Sequence, residues 1–291
     1  MKTLIATLML APALAVAAPK GSAWALLPSS ARDASLAGGM ASLAQGVEGY
    51  SLDPSALSQS KYAEAYLSHT QWHEDVKIEH AAVALDAGKV GGLALGLDWA
   101  DFGTVTRYQA SSAGGWENAG ELRPQAGALS LAWGSALGGG FSLGALGKAW
   151  RQSLDGENDT AASASASLRY RGASWSAVAG LRDWGGRLGG SELPTQFRAG
   201  LSVDPAAWLG LGVELTRFSQ DGSSDVQAAA ILRHGSGLAL RGGIARQGEE
   251  QALMSTVGAS VALGSVGLDL AGVFQQGFTP AIQAGLTWAV R

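Results

Sequence analysis

From about residue 62 to the end of the chain, large apolar side chains alternate with small or polar ones. A period of two places the first set on one face of an extended strand and the second on the other. The C-terminal part carries this pattern most cleanly. Over 256 to 263, Val257, Ala259, Val261 and Leu263 alternate with Thr256, Gly258, Ser260 and Ala262. Val266, Leu268, Leu270 and Phe274 then face away from Gly267, Asp269 and Ala271, as Ile282, Ala284, Leu286, Trp288 and Val290 do from Gln283, Gly285 and Thr287. The same reading predicts strands near 238 to 246, 225 to 233, 208 to 218, 195 to 203, 174 to 183, 161 to 171, 140 to 151, 125 to 134, 90 to 99, 76 to 85 and 61 to 68. With the three C-terminal strands the total is fourteen. At about sixteen residues per strand plus connection, each has room for the roughly nine to eleven that a tilted membrane strand needs.

The predicted connections alternate in length. Asp86-Ala87-Gly88-Lys89, Leu137-Gly138-Gly139, Gly172-Ala173, Asp204-Pro205-Ala206, His234-Gly235-Ser236 and Gly264-Ser265 read as tight turns. Between them lie longer polar connections: 70 to 75, 100 to 123, 154 to 159, 184 to 193, 219 to 224, 247 to 251 and 275 to 279. Short turns at one rim, longer loops at the other and an even strand count describe an outer-membrane barrel. The charges agree in direction. Glu64, Asp98, Lys148, Arg169, Arg182, Arg198, Glu214, Arg233, Arg241 and Asp269 all fall on the face opposite the large apolar residues, so the greasy face is outside and the lumen is charged. A soluble barrel would invert this arrangement, and unpaired charges in its dry core would cost several kcal/mol each. Trp99, Trp133, Trp150, Trp175, Trp184, Trp208 and Trp288 are placed near strand ends, where an amphipathic ring suits the membrane boundary. The expected fold is therefore all-β: a transmembrane antiparallel up-and-down barrel of fourteen strands over 61–291.

Composition narrows the function. With 47% hydrophobic residues in 291, there is ample material for a core, yet outside the N-terminus no apolar run reaches the length of a membrane helix. No Cys is present, which removes disulfides, thiolate metal sites and cysteine nucleophiles. A net charge of −4 with scattered Lys and Arg offers no basic stripe, so nucleic acid is not an expected partner. Met1-Lys2, the apolar run from Leu4 to Val16 and the small-x-small Ala15-Val16-Ala17 predict a signal peptide over 1–17, hence export and an outer-membrane location.

Between signal and barrel, residues 18–60 lack alternation and contain Ala31-Arg32-Asp33-Ala34-Ser35-Leu36-Ala37-Gly38-Gly39-Met40-Ala41, then Tyr50-Ser51-Leu52-Asp53-Pro54-Ser55-Ala56-Leu57. This resembles the PorV/PorQ family of the FadL-like superfamily, where a Gly-Gly-rich opening and an aromatic-x-x-Asn-Pro-Ala-Gly-Leu element precede a fourteen-stranded barrel. His69-Thr70-Gln71-Trp72-His73-Glu74-Asp75 is similar to that family's first outer loop, with Glu79 a few residues on. Asp53, Ser55 and Ala56 stand where the family has Asn, Ala and Gly. The resemblance implies that 18–60 form a plug or hatch, with Gly38, Gly39, Met40, Tyr50, Asp53, Pro54 and Leu57 as its residues.

Catalytic chemistry is not expected. Of the four His, His69 and His73 are read in an outer loop beside Glu74 and Asp75, a weak metal pattern, while His80 and His234 stand apart. Asp155-Gly156-Glu157-Asn158-Asp159 has carboxylates at calcium-loop spacing without the closing Glu. Gly91-Gly92 and Gly138-Gly139-Gly140 read as turns or crowded strand positions. No cofactor and no metal is assigned. The expected function is handling of a hydrophobic small molecule through the hatch, or docking of a secreted protein on outer-loop residues Trp72, Phe102, Tyr108 and Trp116. A general diffusion porin is the alternative, and an outer-membrane enzyme the most distant one. Outer-membrane lipid is the expected surroundings.

Overall fold

The computed structural model of the chain describes residues 23–72, 75–110, 112, 114–154, 156–248 and 252–290. The expected signal segment, and His73, Glu74 and Asp155 of the weak metal and calcium patterns, lie outside them.

Among the described residues eighteen strands follow one another: β1 (Ala63–Gln71), β2 (Lys77–Asp86), β3 (Gly92–Asp101), β4 (Val105–Ala110), β5 (Trp116–Leu122), β6 (Gln125–Gly138), β7 (Phe141–Leu154), β8 (Glu157–Arg171), β9 (Trp175–Trp184), β10 (Arg187–Leu188), β11 (Ser191–Glu192), β12 (Gln196–Ala206), β13 (Leu209–Phe218), β14 (Ser224–Arg233), β15 (Leu238–Gln247), β16 (Ala252–Leu263), β17 (Val266–Gln275) and β18 (Ala281–Val290). Fourteen of them close into one barrel in which β1 pairs with β18, while β4–β5 and β10–β11 are separate two-stranded hairpins. All neighbouring barrel strands are antiparallel, as short reversals require. The fourteen-stranded barrel expected from alternation is the observed fold.

Alternation is visible in burial. Along β7 every second residue from Ser142 to Trp150 is buried and each one between is exposed. Leu67, Leu97, Leu131 and Leu270 are among the large apolar residues exposed on the outside, an exterior suited to hydrocarbon and not to water.

Four details differ from expectation. The predicted loop at 154–159 shrinks to a tight reversal, because the β7–β8 ladder continues through Ser153↔Asn158 to Leu154↔Glu157 and Arg151 donates to Asn158 Oδ1 at 3.0 Å. The turn read at Asp204-Pro205-Ala206 belongs to β12, where a register shift between Val203 and Ala206 accommodates a proline that cannot donate to the ladder. Inside the long connection 100–123, β4 and β5 pair as a projecting hairpin whose β4 residues are all exposed. Finally, β9 ends at Trp184 opposite Ala164 while β8 runs on to Glu157, and the β10–β11 hairpin occupies that step, burying Leu188 and Leu193.

Residues 23–60 contain only short helical turns: 3-10 turns at Ala23–Leu26, Ala41–Leu43 and Pro54–Gln59, and the single-turn helices α1 (Ala31–Ala34) and α2 (Gly46–Gly49). Ser30 caps α1 by accepting from the Asp33 amide at 3.1 Å, and Asp53 caps the last turn by accepting from the Ser55 amide at 2.9 Å. The segment lies inside the barrel and descends it. Trp24 and Ala25 pack with Ile78, Ala100 and Trp150 toward the long-loop rim, whereas Val47, Tyr50 and Leu57 pack with Tyr66, Ala84, Ala94 and Leu146 toward the short-turn rim.

Candidate functional site

The inner wall holds this segment by side chains that reach its backbone. Gln227 Nε2 donates to the Ala37 carbonyl at 2.9 Å, Thr256 Oγ1 accepts from the Ala37 amide at 3.0 Å and donates to the Ser35 carbonyl at 2.9 Å, and Arg198 donates to the Gly39 carbonyl at 2.6 Å. Higher up, Arg182 donates to the Ala25 carbonyl at 3.0 Å, and lower down Glu64 accepts from the Val47 amide at 3.0 Å. These contacts satisfy backbone groups that no helix or ladder satisfies, a requirement for irregular chain buried away from water.

Two ion pairs hold the segment further. Arg169 binds Asp53 through Nε at 2.7 Å and Nη2 at 2.5 Å, and donates to the Ala41 carbonyl at 2.5 Å, while Ser167 donates to the same carboxylate. Arg198 binds Glu214, whose Oε2 accepts from the Ser42 amide at 3.1 Å. All four ionic side chains are buried, and removing one member of such a pair strands the other in a medium that solvates it poorly. Elsewhere in the lumen Arg241 pairs with Asp269 at 2.7 Å and Thr287 donates to Glu48.

Close approach is possible because the wall is pared back. A Cβ at Gly144 would strike the backbone of Pro54 and Ser55, and one at Gly96 would strike the Tyr50 hydroxyl, which hydrogen-bonds Ser130 at 2.7 Å. Gly92, read from sequence as a crowded strand position, lies against the Leu57 carbonyl.

Of the lumen charges named from sequence, Asp98, Lys148, Arg169, Arg182, Arg198, Glu214, Arg241 and Asp269 are buried inside. Glu64 is half-buried, and Arg233 stays at the short-turn rim, paired with Asp204 at 2.9 Å. Alternation had no means of finding Asp183, which strict period two would turn outward. Its left-handed backbone (φ 52°), beside the register break of β8–β9, brings the carboxylate fully inside, 3.1 Å from Arg182 and 3.7 Å from Lys148. A second unforeseen pair is His80 with Asp98 at 2.7 Å, the ring lying between Tyr50 and Tyr66. Trp150 is no boundary residue: it is buried in the lumen against Trp24 (5.1 Å, edge-on), under the Lys148 ammonium. His69 is not in a loop but within β1, on the outer face.

The residues expected in the hatch divide into two groups. Tyr50, Asp53, Pro54 and Leu57 are packed toward the short-turn half, while Gly38 and Gly39 face the other way, with Met40 buried beside Leu36, Leu43 and Met254. Ala37, Gly38 and Gly39 all have positive φ (56°, 80° and 115°), a left-handed turn that glycine accepts readily and alanine only when held. Gly38 and Gly39 of this turn line a cavity of about 510 Å³ among the strand ends at the long-loop rim. Apolar groups line part of it (Trp72, Phe218, Met254, Val273, Phe278), and Gln196, Gln227, Arg182 and Arg198 another part. Of the proposed outer-loop contacts, Trp72 and Phe102 are partly buried against lumen clusters, and Tyr108 and Trp116 stand exposed on the β4–β5 hairpin.

The barrel is similar to three solved channels. These are the toluene transporter TbuX of Ralstonia pickettii (TM-score 0.68, 13% identity, 91% of this chain and 99% of that one), the toluene transporter TodX of Pseudomonas putida (0.66, 10%, 91% and 98%) and the monoaromatic hydrocarbon channel CymD (0.66, 10%, 91% and 98%). The fold is the one these three channels share. No family model matches the chain and no curated protein matches it, so nothing beyond the motif itself speaks for PorV/PorQ in particular. At these identities the likeness concerns architecture alone: a closed antiparallel barrel aligned over nine-tenths of this chain.

Proposed function

We propose that this chain is an outer-membrane channel for hydrophobic small molecules, closed at rest by residues 23–60 acting as a plug. The observation that carries the reading is the cavity at the long-loop rim, which Gly38 and Gly39 of the inner segment line together with side chains of the barrel wall. A molecule entering from outside meets Trp72, Phe218 and Phe278 first, then a segment held by side-chain hydrogen bonds that can break without disturbing any ladder. The names of the structurally similar channels, two toluene transporters and a monoaromatic hydrocarbon channel, point to aromatic hydrocarbons as the cargo to try first. A diffusion porin fits less well, because residues 24–57 pack against the inner wall along the barrel. Docking of a secreted protein has only the exposed Tyr108 and Trp116 in its favour.

The test is toluene uptake by cells carrying the protein, compared with a Thr216→Trp variant. Thr216 is buried on the inner wall of the cavity, where an indole fills the mouth. Uptake is expected to fall by about an order of magnitude in the blocked variant. Equal uptake in the two proteins, or a steady ohmic conductance from the intact chain in planar bilayers, overturns the plugged-channel reading.

A further inference from the structure

A recess lies on the outer face of β1, β2, β3 and β18, on the side opposite the lumen, with a volume of about 520 Å³. Its origin is in the register. One row of outward neighbours runs Ala284, His69, Glu79, Trp99 across the four strands, and the next row toward the short-turn rim runs Leu286, Leu67, Ala81, Leu97. Ala284 and Ala81 stand diagonally on either side of His69 and Leu67, so the surface dips between leucines. At the upper end of the dip His69 Nδ1 and Glu79 Oε1 are 2.7 Å apart, both about half exposed (52% and 54%) on a face otherwise suited to hydrocarbon.

The height of this pair decides what it meets. His69 is two residues from the end of β1 at Gln71, which for a strand tilted by about 40° is roughly 5 Å along the membrane normal. Trp99, beside Glu79, occupies the position an interfacial indole favours, and Lys77 faces outward opposite Gln71, one row higher. Polar groups at this level face lipid headgroups, and the alanines and leucines below face acyl chains. With Nδ1 engaged by Glu79, Nε2 is the ring nitrogen that remains for an outside partner.

We propose that this recess binds a phosphorylated acyl lipid of the outer leaflet, its phosphate meeting His69 and Lys77 and one acyl chain lying over Ala284 and Ala81. The site rests on the membrane-spanning reading and is separate from the cargo path, since His69, Glu79, Leu67, Ala81, Leu97, Trp99, Ala284 and Leu286 all lie on the outward-facing positions of their strands.

The test is native mass spectrometry of the protein extracted from outer membranes in mild detergent, with two variants: Ala81→Phe, which fills the dip, and a double His69→Ala, Lys77→Ala change, which removes the phosphate partners. The wild-type barrel is expected to retain one phosphorylated acyl lipid through detergent exchange, and occupancy is expected to drop severalfold in both variants, while toluene uptake stays at the wild-type level. A heat-dependent gel shift in all three proteins establishes that each is folded. A wild-type protein stripped of lipid, or variants that keep it equally well, overturns the site. A two-chain mass in place of the lipid also overturns it and assigns the face to a second copy. Absence of the protein from the outer-membrane fraction strikes the spanning reading itself, and the lipid site with it.

Discussion

The side chains with most consequence are those that join residues 23–60 to the wall. Arg169 is fully buried and its guanidinium is shared between Asp53 and the Ala41 carbonyl. Replacing Asp53 by Ala is expected to cost about 3–5 kcal/mol, because it leaves an unpaired buried cation; a lowered midpoint in the heat-dependent gel shift, together with new ion conductance, is the outcome to look for. Asp33 supplies a pH dependence. Burial, the largest influence, pushes its carboxyl from 3.8 up to about 7 against the pull of Arg32, and its two oxygens find no hydrogen-bond partner among the described residues. Since the packed state holds this proton more tightly than the unfolded chain, packing carries no penalty below 3.8 and weakens as pH rises, with the full penalty reached above about 7. The thermal midpoint should therefore fall from acid to neutral pH, and Asp33→Asn should flatten that slope. A midpoint independent of pH in the unmodified protein would contradict this account.

At the scale of elements, the two extra hairpins behave differently. The β10–β11 hairpin covers the step left where β9 stops short of β8 and buries Leu188 and Leu193 in the upper lumen cluster, so it belongs to the barrel's packing. The β4–β5 hairpin projects, with Tyr108 and Trp116 more than 60% exposed, and an isolated two-stranded ribbon adds little stability to what it stands on. Replacing residues 104–122 by a short Gly-Ser linker is expected to leave both the gel shift and toluene uptake unchanged. Loss of uptake would move the entry path onto this hairpin. Long connections are where alternation informs least, since a hairpin with both faces in water needs no apolar stripe, and polar sequence reads as loop.

Across the whole molecule, the inside-out distribution of polarity is what separates a membrane barrel from a soluble one. Leu131 is 64% exposed and lies midway along β6, opposite Leu95 of β3. Leu131→Arg is expected to destabilise the barrel by about 2–4 kcal/mol in lipid, the usual penalty for a cation at mid-depth on the lipid face. Folding yields in vesicles as a function of urea would measure it, and a neutral result would mean that this face is not in hydrocarbon. The same distribution explains how a lumen with so many charges is tolerated. Asp98, Lys148, Arg182, Asp183, Arg198 and Glu214 are arranged with opposite partners close by, and Arg182 and Arg198 also donate to backbone carbonyls of residues 23–60.

Period two is a local property, so the residues alone determined the strand count, the two faces and the fact that Leu131 points out while Asp98 points in. Hydrogen-bond register, closure and the path of the aperiodic segment are not local, and they decided the rest. Only closure sets Arg169 against Asp53 and His80 against Asp98, and only a left-handed residue beside a register break turns Asp183 inward. Likewise, the motif residues Gly38 and Asp53 look like one hatch in sequence yet stand at different depths, because a chain without repeating backbone hydrogen bonds goes where the wall can satisfy its amides and carbonyls.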